Sequence, residues 1–330
     1  GNPALSWAPH PRSLGIPCTG GRPTGGPFPK RQNCRLLGAK VIVQGRHIGE
    51  SRLVANDIVA ETGAVYINGF DDPAVIAGAG TMGLEIMHEV PDVDVVIVPV
   101  GGGGLIAGTA RAIKTLKPSV EIVGVEPAVL PKASAARAAG KPVELPPAST
   151  LADGLLVTEL GTNAFAMMET DVDRIVAVQE KSISLAMLRM LEWHKCVVEG
   201  GGVAGVAALV ENVLGDLSGK TVVIPLCGGN VDTPMLGRVL ERGLAADGRL
   251  FKLSVTVTDR PGGVARLTQH IAKWASIKEI VHERSFREHP VSDVVVALSL
   301  EVTAAADGHK LLEELEEAGY TKVEHNLRPL

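Results

Sequence analysis

From residue 2 to about residue 250, short β-branched runs alternate with longer segments in which apolar positions recur every three or four residues. A strand buries its apolar residues in a run of four to eight, whereas a helix buries one stripe, so this alternation predicts parallel strands joined by crossover helices. Strands are expected at residues 16–19, 40–43, 65–67, 94–100, 121–126, 174–178 and 221–225. The runs Asp94-Val95-Val96-Ile97-Val98-Pro99-Val100 and Thr221-Val222-Val223-Ile224-Pro225-Leu226 are almost continuously apolar. Strands covered on both faces have that texture, which puts these two in the middle of the sheet. Between them, residues 184–196 place Leu185, Leu188 and Leu191 on one helical face, and residues 203–214 form an Ala- and Val-rich helix.

The texture changes after residue 250. Residues 251–258, 262–274, 277–286, 293–302, 308–318 and 320–327 read in order as strand, helix, strand, strand, helix and strand. That is a ferredoxin-like α+β order, expected to form a separate small domain, with the polar stretch 243–249 as its linker. Residues 20–29 are dense in Gly and Pro and are expected to form a loop. Around Ala4, Leu5, Trp7 and Leu14 a helix would otherwise be favoured, but Pro3, Pro9 and Pro11 break it, since proline inside a helix costs about 3 kcal/mol.

Composition narrows the function classes. A chain of 330 residues is long enough for two domains, and 45% hydrophobic with 21% charged residues is globular rather than disordered. With 32 Lys+Arg against 37 Asp+Glu, the net charge of −5 provides no basic field for nucleic acid. The longest uncharged stretch, 95–110, is too short for a bilayer and is interrupted by Pro99 and four glycines, so no membrane span is expected. Cys18, Cys34, Cys196 and Cys227 are far apart and form no C-x-x-C pair, and they read as reduced thiols of a cytoplasmic protein. The nine histidines show no ligand spacing, and no metal site is assigned. Met167, Met168, Met187 and Met190 read as core filling.

The chemistry concentrates at two places. Gly101-Gly102-Gly103-Gly104-Leu105 follows a buried-type strand and opens a helix. Backbone N–H groups without side chains, at the positive end of a helix dipole, form a cup for a phosphate dianion. A flexible turn needing positive φ is the plainer alternative. The spacing is neither G-x-G-x-x-G nor a P-loop, which favours a phosphorylated cofactor smaller than a dinucleotide. Cys227-Gly228-Gly229-Asn230 stands at the C-terminal end of the other apolar strand, where open α/β sheets bind ligands. There the Cys227 thiol either bonds a ring nitrogen or is simply a small buried apolar group.

Taken together these segments resemble the fold type II pyridoxal-phosphate enzymes (tryptophan synthase β-like), and within them the L-threonine/L-serine ammonia-lyases, or threonine dehydratases, with serine racemase as a near relative. The resemblance covers nearly the whole chain. Gly1-Asn2 looks like the tail of the family's Ser-Gly-Asn-His loop. Leu14-Gly15-Ile16-Pro17, Gly38-Ala39-Lys40-Val41 and Gly80-Thr81-Met82-Gly83-Leu84-Glu85 are similar to small-domain and hinge segments, and residues 101–105 to the phosphate loop. Gly124-Val125-Glu126-Pro127, Thr150-Leu151-Ala152-Asp153-Gly154, Val198-Glu199-Gly200 and Cys227-Gly228-Gly229-Asn230-Val231-Asp232 follow in the family's order. Thr256-Val257-Thr258-Asp259-Arg260-Pro261-Gly262-Gly263 resembles the opening of an ACT-like regulatory domain.

The resemblance implies a three-layer α/β/α catalytic region over 1–245, with 1–80 mainly a small domain and 81–245 mainly a large one, and an ACT-like domain over 250–330. It implies pyridoxal 5'-phosphate as cofactor, held by Asn2, Gly101, Gly102, Gly103, Gly104, Leu105 and Cys227, with Cys227 opposite the pyridine nitrogen. The implied reaction is β-elimination from L-threonine or L-serine to 2-oxobutanoate or pyruvate and ammonia, a step of isoleucine biosynthesis, with the ring as electron sink. The family's Schiff-base lysine falls upstream of Gly1, so the chain reads as N-terminally truncated, with no catalytic residue assigned and no turnover expected alone. Two alternatives stay open: a non-catalytic fragment or pseudoenzyme that keeps the cofactor and amino-acid sites, and a serine racemase, for which the sequence identifies no second acid or base. Glu199 either approaches the cofactor or caps the following helix, and Asp153 either forms a turn or helps bind a structural cation. A homo-oligomer and an amino-acid effector at the ACT-like domain are also expected.

Overall fold

The computed structural model describes residues 15–22, 24, 34–36, 38–45, 48–231, 233–283, 292–320 and 323–327, in two compact units, Gly1–Leu236 and Gly237–Leu330. Asn2, Pro3, Pro9, Pro11 and most of the expected loop at 20–29 lie outside the described residues.

In the first unit β1 (Thr19–Arg22) pairs in parallel with β2 (Lys40–Val43), Thr19 opposite Lys40 and Arg22 opposite Val43. The strand expected at 16–19 is thus displaced into Gly20 and Gly21, residues that have no strand preference of their own. Its partner, Lys40-Val41-Ile42-Val43, determines the register. Helix α1 (Ile48–Thr62) follows. Residues 65–67, expected as a strand, form none: Val65 is 85% exposed, Tyr66 and Ile67 are exposed too, and β-branched residues without a neighbouring strand have nothing to pair with.

Helix α2 (Pro73–Glu89) starts where Asp72 accepts a hydrogen bond from the Ala74 N–H and Pro73 occupies the first turn. Then come β3 (Val95–Pro99), α3 (Gly104–Leu116), β4 (Glu121–Pro127), α4 (Lys132–Ala139), α5 (Thr162–Asp171), β5 (Arg174–Val178), α6 (Glu180–Arg189), α7 (Ala204–Val210) and β6 (Val222–Val223). Helix α8 (Thr233–Ala246) runs from the first unit into the second. The four strands form a parallel sheet in the order β5-β4-β3-β6. Strands β3 and β4 are central, and every residue of β3 is buried. The 221–225 run is not central: only Val222 and Val223 pair, half-buried, at the sheet edge. An apolar run reports the cover on its two faces and says nothing about neighbours in the sheet, and Pro225 has no N–H to extend the ladder.

One face of the sheet is covered by α2, α3, α4 and α5, whose Ile76, Ile106, Ile113, Ala133 and Met168 pack against Val96, Val98 and Ile122. Helix α7 lies against β3, β4 and β5 on the other, which completes the three layers. Helix α6 begins four residues before the expected start and gives way after Arg189 to a π-helical turn, Met190–His194, closed by Lys195 at φ 56°. It is buried at Ser182, Ile183, Ser184, Ala186, Met187 and Leu188, so its inner face is wider than the leucine stripe suggests.

The second unit contains β7 (Leu250–Thr258), α9 (Gly263–Ile271), β8 (Ser276–Glu283), β9 (Asp293–Glu301), α10 (Ala305–Glu317) and β10 (Val323–His325). Its antiparallel sheet has the order β10-β7-β9-β8. Phe251, Leu253 and Val255 of β7 and Leu298 and Leu300 of β9 share a core with Leu267, Ile271, Leu311 and Leu315 of the two helices. The strand and helix order is the ferredoxin-like one.

Helices α2 and α3 approach so closely at Gly83 and Gly108 that neither position has room for a side chain. A Cβ on Gly108 would lie 2.1 Å from the Ile76 carbonyl, and one on Gly83 2.6 Å from that of Thr109. Gly78, one turn along α2, is exposed with nothing within 4 Å of an added Cβ. Gly108→Ala is therefore expected to destabilise the first unit by about 2 kcal/mol or more through forced separation. Gly78→Ala should stabilise it by about 0.5–1 kcal/mol through helix propensity. Urea unfolding of the two variants beside the parent measures both, and equal effects would contradict the packing described.

Candidate active site

Strand β3 delivers the chain to the four glycines, and α3 begins at Gly104 with Gly103 at its N-cap in a left-handed conformation, φ 95°. Phe70 explains why residues 102 and 104 carry no side chain. A Cβ at Gly102 would fall 2.2 Å from the Phe70 ring, and one at Gly104 2.1 Å from its carbonyl oxygen. Phe70 is itself fixed from both sides. The Asn68 side-chain oxygen accepts hydrogen bonds from the Phe70 and Asp71 N–H groups, at 3.1 and 3.3 Å. The Asp71 carboxylate accepts from the Thr162 and Ala164 N–H groups at the start of α5, both at 3.0 Å, where an anion also suits the helix dipole. Sequence reasoning misses the segment 68–72. Its readable signal is Asp72-Pro73, a helix start, which says nothing about Phe70 reaching the glycine loop.

Gly101, Gly102, Gly103, Gly104 and Leu105 line one cleft of about 220 Å³ together with Phe70, Gly154, Leu155, Glu199, Gly201 and Cys227. The glycine loop and Cys227, read separately along the chain, thus meet. Asn2 lies outside the described residues. Cys227 is half-buried, its thiol donates towards the Met82 thioether at 3.4 Å, and burial pushes its pKa up, so it is a neutral S–H at pH 7.

Of the two positions expected of it, Glu199 takes the one at the cleft, whose lining it joins. It makes no side-chain cap on α7, whose N-cap is Val203. Instead its buried carboxylate accepts the Asn230 N–H at 3.0 Å, while its own N–H donates to the Gly228 carbonyl at 3.0 Å. It holds the Gly228-Gly229-Asn230 turn from one side of the cleft, and a Cβ on Gly228 would lie 2.6 Å from its Oε1. Asp153 is exposed at the start of a short 3-10 turn, Asp153–Leu155, whose Gly154 and Leu155 form the facing wall. That wall is tied down by Glu180, which accepts from the Thr150 hydroxyl and, at 2.8 Å, from the Leu151 N–H.

Two charged groups are fully buried beside the site. The Glu126 carboxylate, at the end of β4, accepts from the Ala133 N–H (2.7 Å), the Ser134 N–H (2.9 Å) and the Ser134 hydroxyl (2.6 Å), and so closes the start of α4. The Lys132 ammonium donates to the carbonyls of Val100 (3.1 Å) and Leu155 (3.2 Å). Burial lowers its pKa to about 8, against the opposing charge of Glu126. Glu126 is legible as part of a motif, whereas Lys132 is not: a lysine following Pro131 reads as a solvated helix start.

The arrangement suits an anion at the loop and a neutral hydrogen-bonding partner at the thiol. A family model described as Pyridoxal-phosphate dependent enzyme matches residues 1–228. The chain is 42% identical over 321 residues to an L-threonine ammonia-lyase of Geobacter sulfurreducens, a match covering 97% of this chain and 80% of that relative. It is 40% identical over 317 residues to an L-threonine ammonia-lyase of Thermotoga maritima, covering 96% and 78%. Among solved structures it is similar to the T.th. threonine deaminase, with a TM-score of 0.66 and 35% identity over 70% of this chain and 76% of that one. It is also similar to maize serine racemase, with a TM-score of 0.68 and 33% identity over 74% and 75%.

Lys132 gives the stability a pH signature. Its folded pKa of about 8 lies below that of a free lysine, so between pH 8 and 10.5 the unfolded chain binds more protons than the folded one. Stability contributed by this group therefore rises with pH across that window, by up to about 3 kcal/mol. Denaturant unfolding at pH 7.5 and 10 should show that rise in the parent relative to Lys132→Met, and parallel pH profiles would contradict it.

Proposed function

The chain belongs to the pyridoxal-phosphate dependent enzyme family, and from that premise we propose that its cleft serves the dehydration and deamination of L-threonine and L-serine, to 2-oxobutanoate or pyruvate and ammonia. One observation carries this reading: a side-chain-free N–H loop at a helix start and a neutral thiol line the same cleft. The residues present fit pyridoxal phosphate, because Phe70 leaves no room for any side chain at residues 102 and 104 and the loop amides are left to meet a phosphate.

Gly101, Gly102, Gly103, Gly104 and Leu105 would hold the phosphate end through backbone N–H groups and the positive end of α3. Cys227 would face the pyridine nitrogen as a neutral partner, its raised pKa keeping the proton on Sγ. Glu199 sets the position of that thiol by holding the turn that follows it. When bound, the cofactor supplies an electron sink for the charge left on the substrate's Cα once its proton is removed.

No lysine is among the described residues that line the cleft, and Lys132 is engaged with two backbone carbonyls. In our reading these 330 residues therefore bind the cofactor exchangeably and do not turn over substrate by themselves. The second unit is read as an ACT-like regulatory domain for a small amino-acid effector. Support comes from its ferredoxin-like order and from the Asp259-Arg260-Pro261-Gly262-Gly263 turn between β7 and α9, with Gly262 at φ 92°. The corresponding division is a catalytic region over 1–245 and a regulatory one over 250–330, in a homo-oligomer.

The test is a titration of the chain with pyridoxal phosphate, followed by cofactor fluorescence, before and after borohydride. Saturable binding is expected, with no cofactor fixed by borohydride, and Gly104→Val should weaken binding at least about a hundredfold through its clash with Phe70. Absence of binding would overturn the reading, and borohydride fixation would overturn the exchangeable state. For the reaction, a form of the protein to which borohydride does fix the cofactor should release oxoacid from L-threonine and L-serine. D-serine as the main product from L-serine would instead favour racemisation.

A further inference from the structure

By volume Lys132 heads the fully buried side chains of the described residues, and nothing in the chemistry above uses it. Packing alone does not call for it, since methionine fills the same space without taking a charge out of water. Its partners are informative. The Val100 carbonyl belongs to the same peptide group as the Gly101 N–H, the first donor of the glycine loop. The Leu155 carbonyl belongs to the facing wall, and the two walls touch at this point: a Cβ on Gly101 would lie 3.4 Å from the Gly154 oxygen and 3.6 Å from the Leu155 Cα. A cation on a carbonyl oxygen draws electron density along the peptide and makes its N–H a stronger donor. The other charged group close to the ammonium is Glu126, from β4, and three donors of α4 already occupy its oxygens.

We propose that Lys132 is a positioning residue for the cofactor's phosphate, its buried ammonium clamping the glycine loop to the Gly154-Leu155 wall through the carbonyls of Val100 and Leu155 and strengthening the Gly101 N–H as a donor. This rests on the pyridoxal-phosphate reading of the cleft. It separates charge from bulk, which a purely structural role would not. Lys132→Met keeps the bulk and removes the charge, and Lys132→Ala leaves a cation-sized space facing two carbonyl oxygens.

Pyridoxal phosphate affinity is measured by fluorescence titration at pH 7 on the whole chain and both variants, each checked for folding by far-UV circular dichroism and urea unfolding. Lys132→Met should unfold at an equal or higher urea concentration than the parent yet bind the cofactor ten- to a hundredfold more weakly. Lys132→Ala should bind as weakly in tetramethylammonium chloride and recover several-fold in potassium chloride, because potassium accepts carbonyl ligands and the bulky ion does not. Binding by Lys132→Met within twofold of the parent would overturn the proposal while leaving the cofactor reading intact. The same holds if Lys132→Ala is insensitive to potassium. A parent chain that does not bind pyridoxal phosphate would overturn both.

Discussion

The close approach of Phe70 to the glycine loop is the constraint on which the site depends. Gly102 and Gly104 meet the Phe70 ring and carbonyl at distances that exclude any side chain. Phe70 can press there only because Asn68 and Asp71 hold its backbone from both sides, Asp71 by taking up two N–H groups of α5. A chain of hydrogen bonds from α5 to the 68–72 segment thereby fixes a loop that makes few bonds of its own. Its amides face a ligand without first having to be ordered, and preorganised donors of this kind lose little free energy when the anion arrives.

The same economy of side chains recurs in the scaffold under the loop. Gly108 of α3 and Gly83 of α2 let the two helices meet backbone to backbone, and α3 is the helix whose N-terminus the phosphate would face. Rigid contact here keeps the dipole in place. At the other end of the cleft Glu199 does for the Gly228-Gly229-Asn230 turn what Asp71 does for Phe70: its carboxylate takes up a backbone N–H, that of Asn230. Glu126 is a third instance, at the start of α4. Each of these carboxylates accepts from peptide N–H groups, which hold a charge-bearing side chain in place beside the cleft.

What could be read from the sequence follows from which forces are local. The strands at 95–99 and 121–127 were legible because β-branched runs bury themselves on both faces wherever they sit, and the glycine loop because a strand, four glycines and a helix start are contiguous. The edge position of β6 was not legible, since Val222 and Val223 look the same at the centre of a sheet as at its rim. Strand β1 escaped for the opposite reason: Thr19-Gly20-Gly21-Arg22 has no strand signal and exists only because β2 lies beside it. In the site, Gly101 to Leu105 and Cys227 announced themselves, while Phe70, Asp71 and Lys132 did not, because their roles are set by residues about twenty to ninety positions away.

Among the described residues no arginine or lysine lines the cleft, which bears on the kind of anion recognition involved. A dianion held by mobile cationic side chains is sensitive to salt, and binding it costs the ordering of those side chains. A dianion held by fixed peptide dipoles needs the field to be assembled beforehand, and the full positive charge at hand is the ammonium of Lys132, out of solvent and reaching the loop through the Val100 carbonyl. The neutral thiol at Cys227 adds no further charge to the cleft, whose lining already includes the Glu199 carboxylate. The positive potential at the loop therefore originates in backbone geometry with the Lys132 ammonium behind it, and the sequence encodes it mainly as glycine.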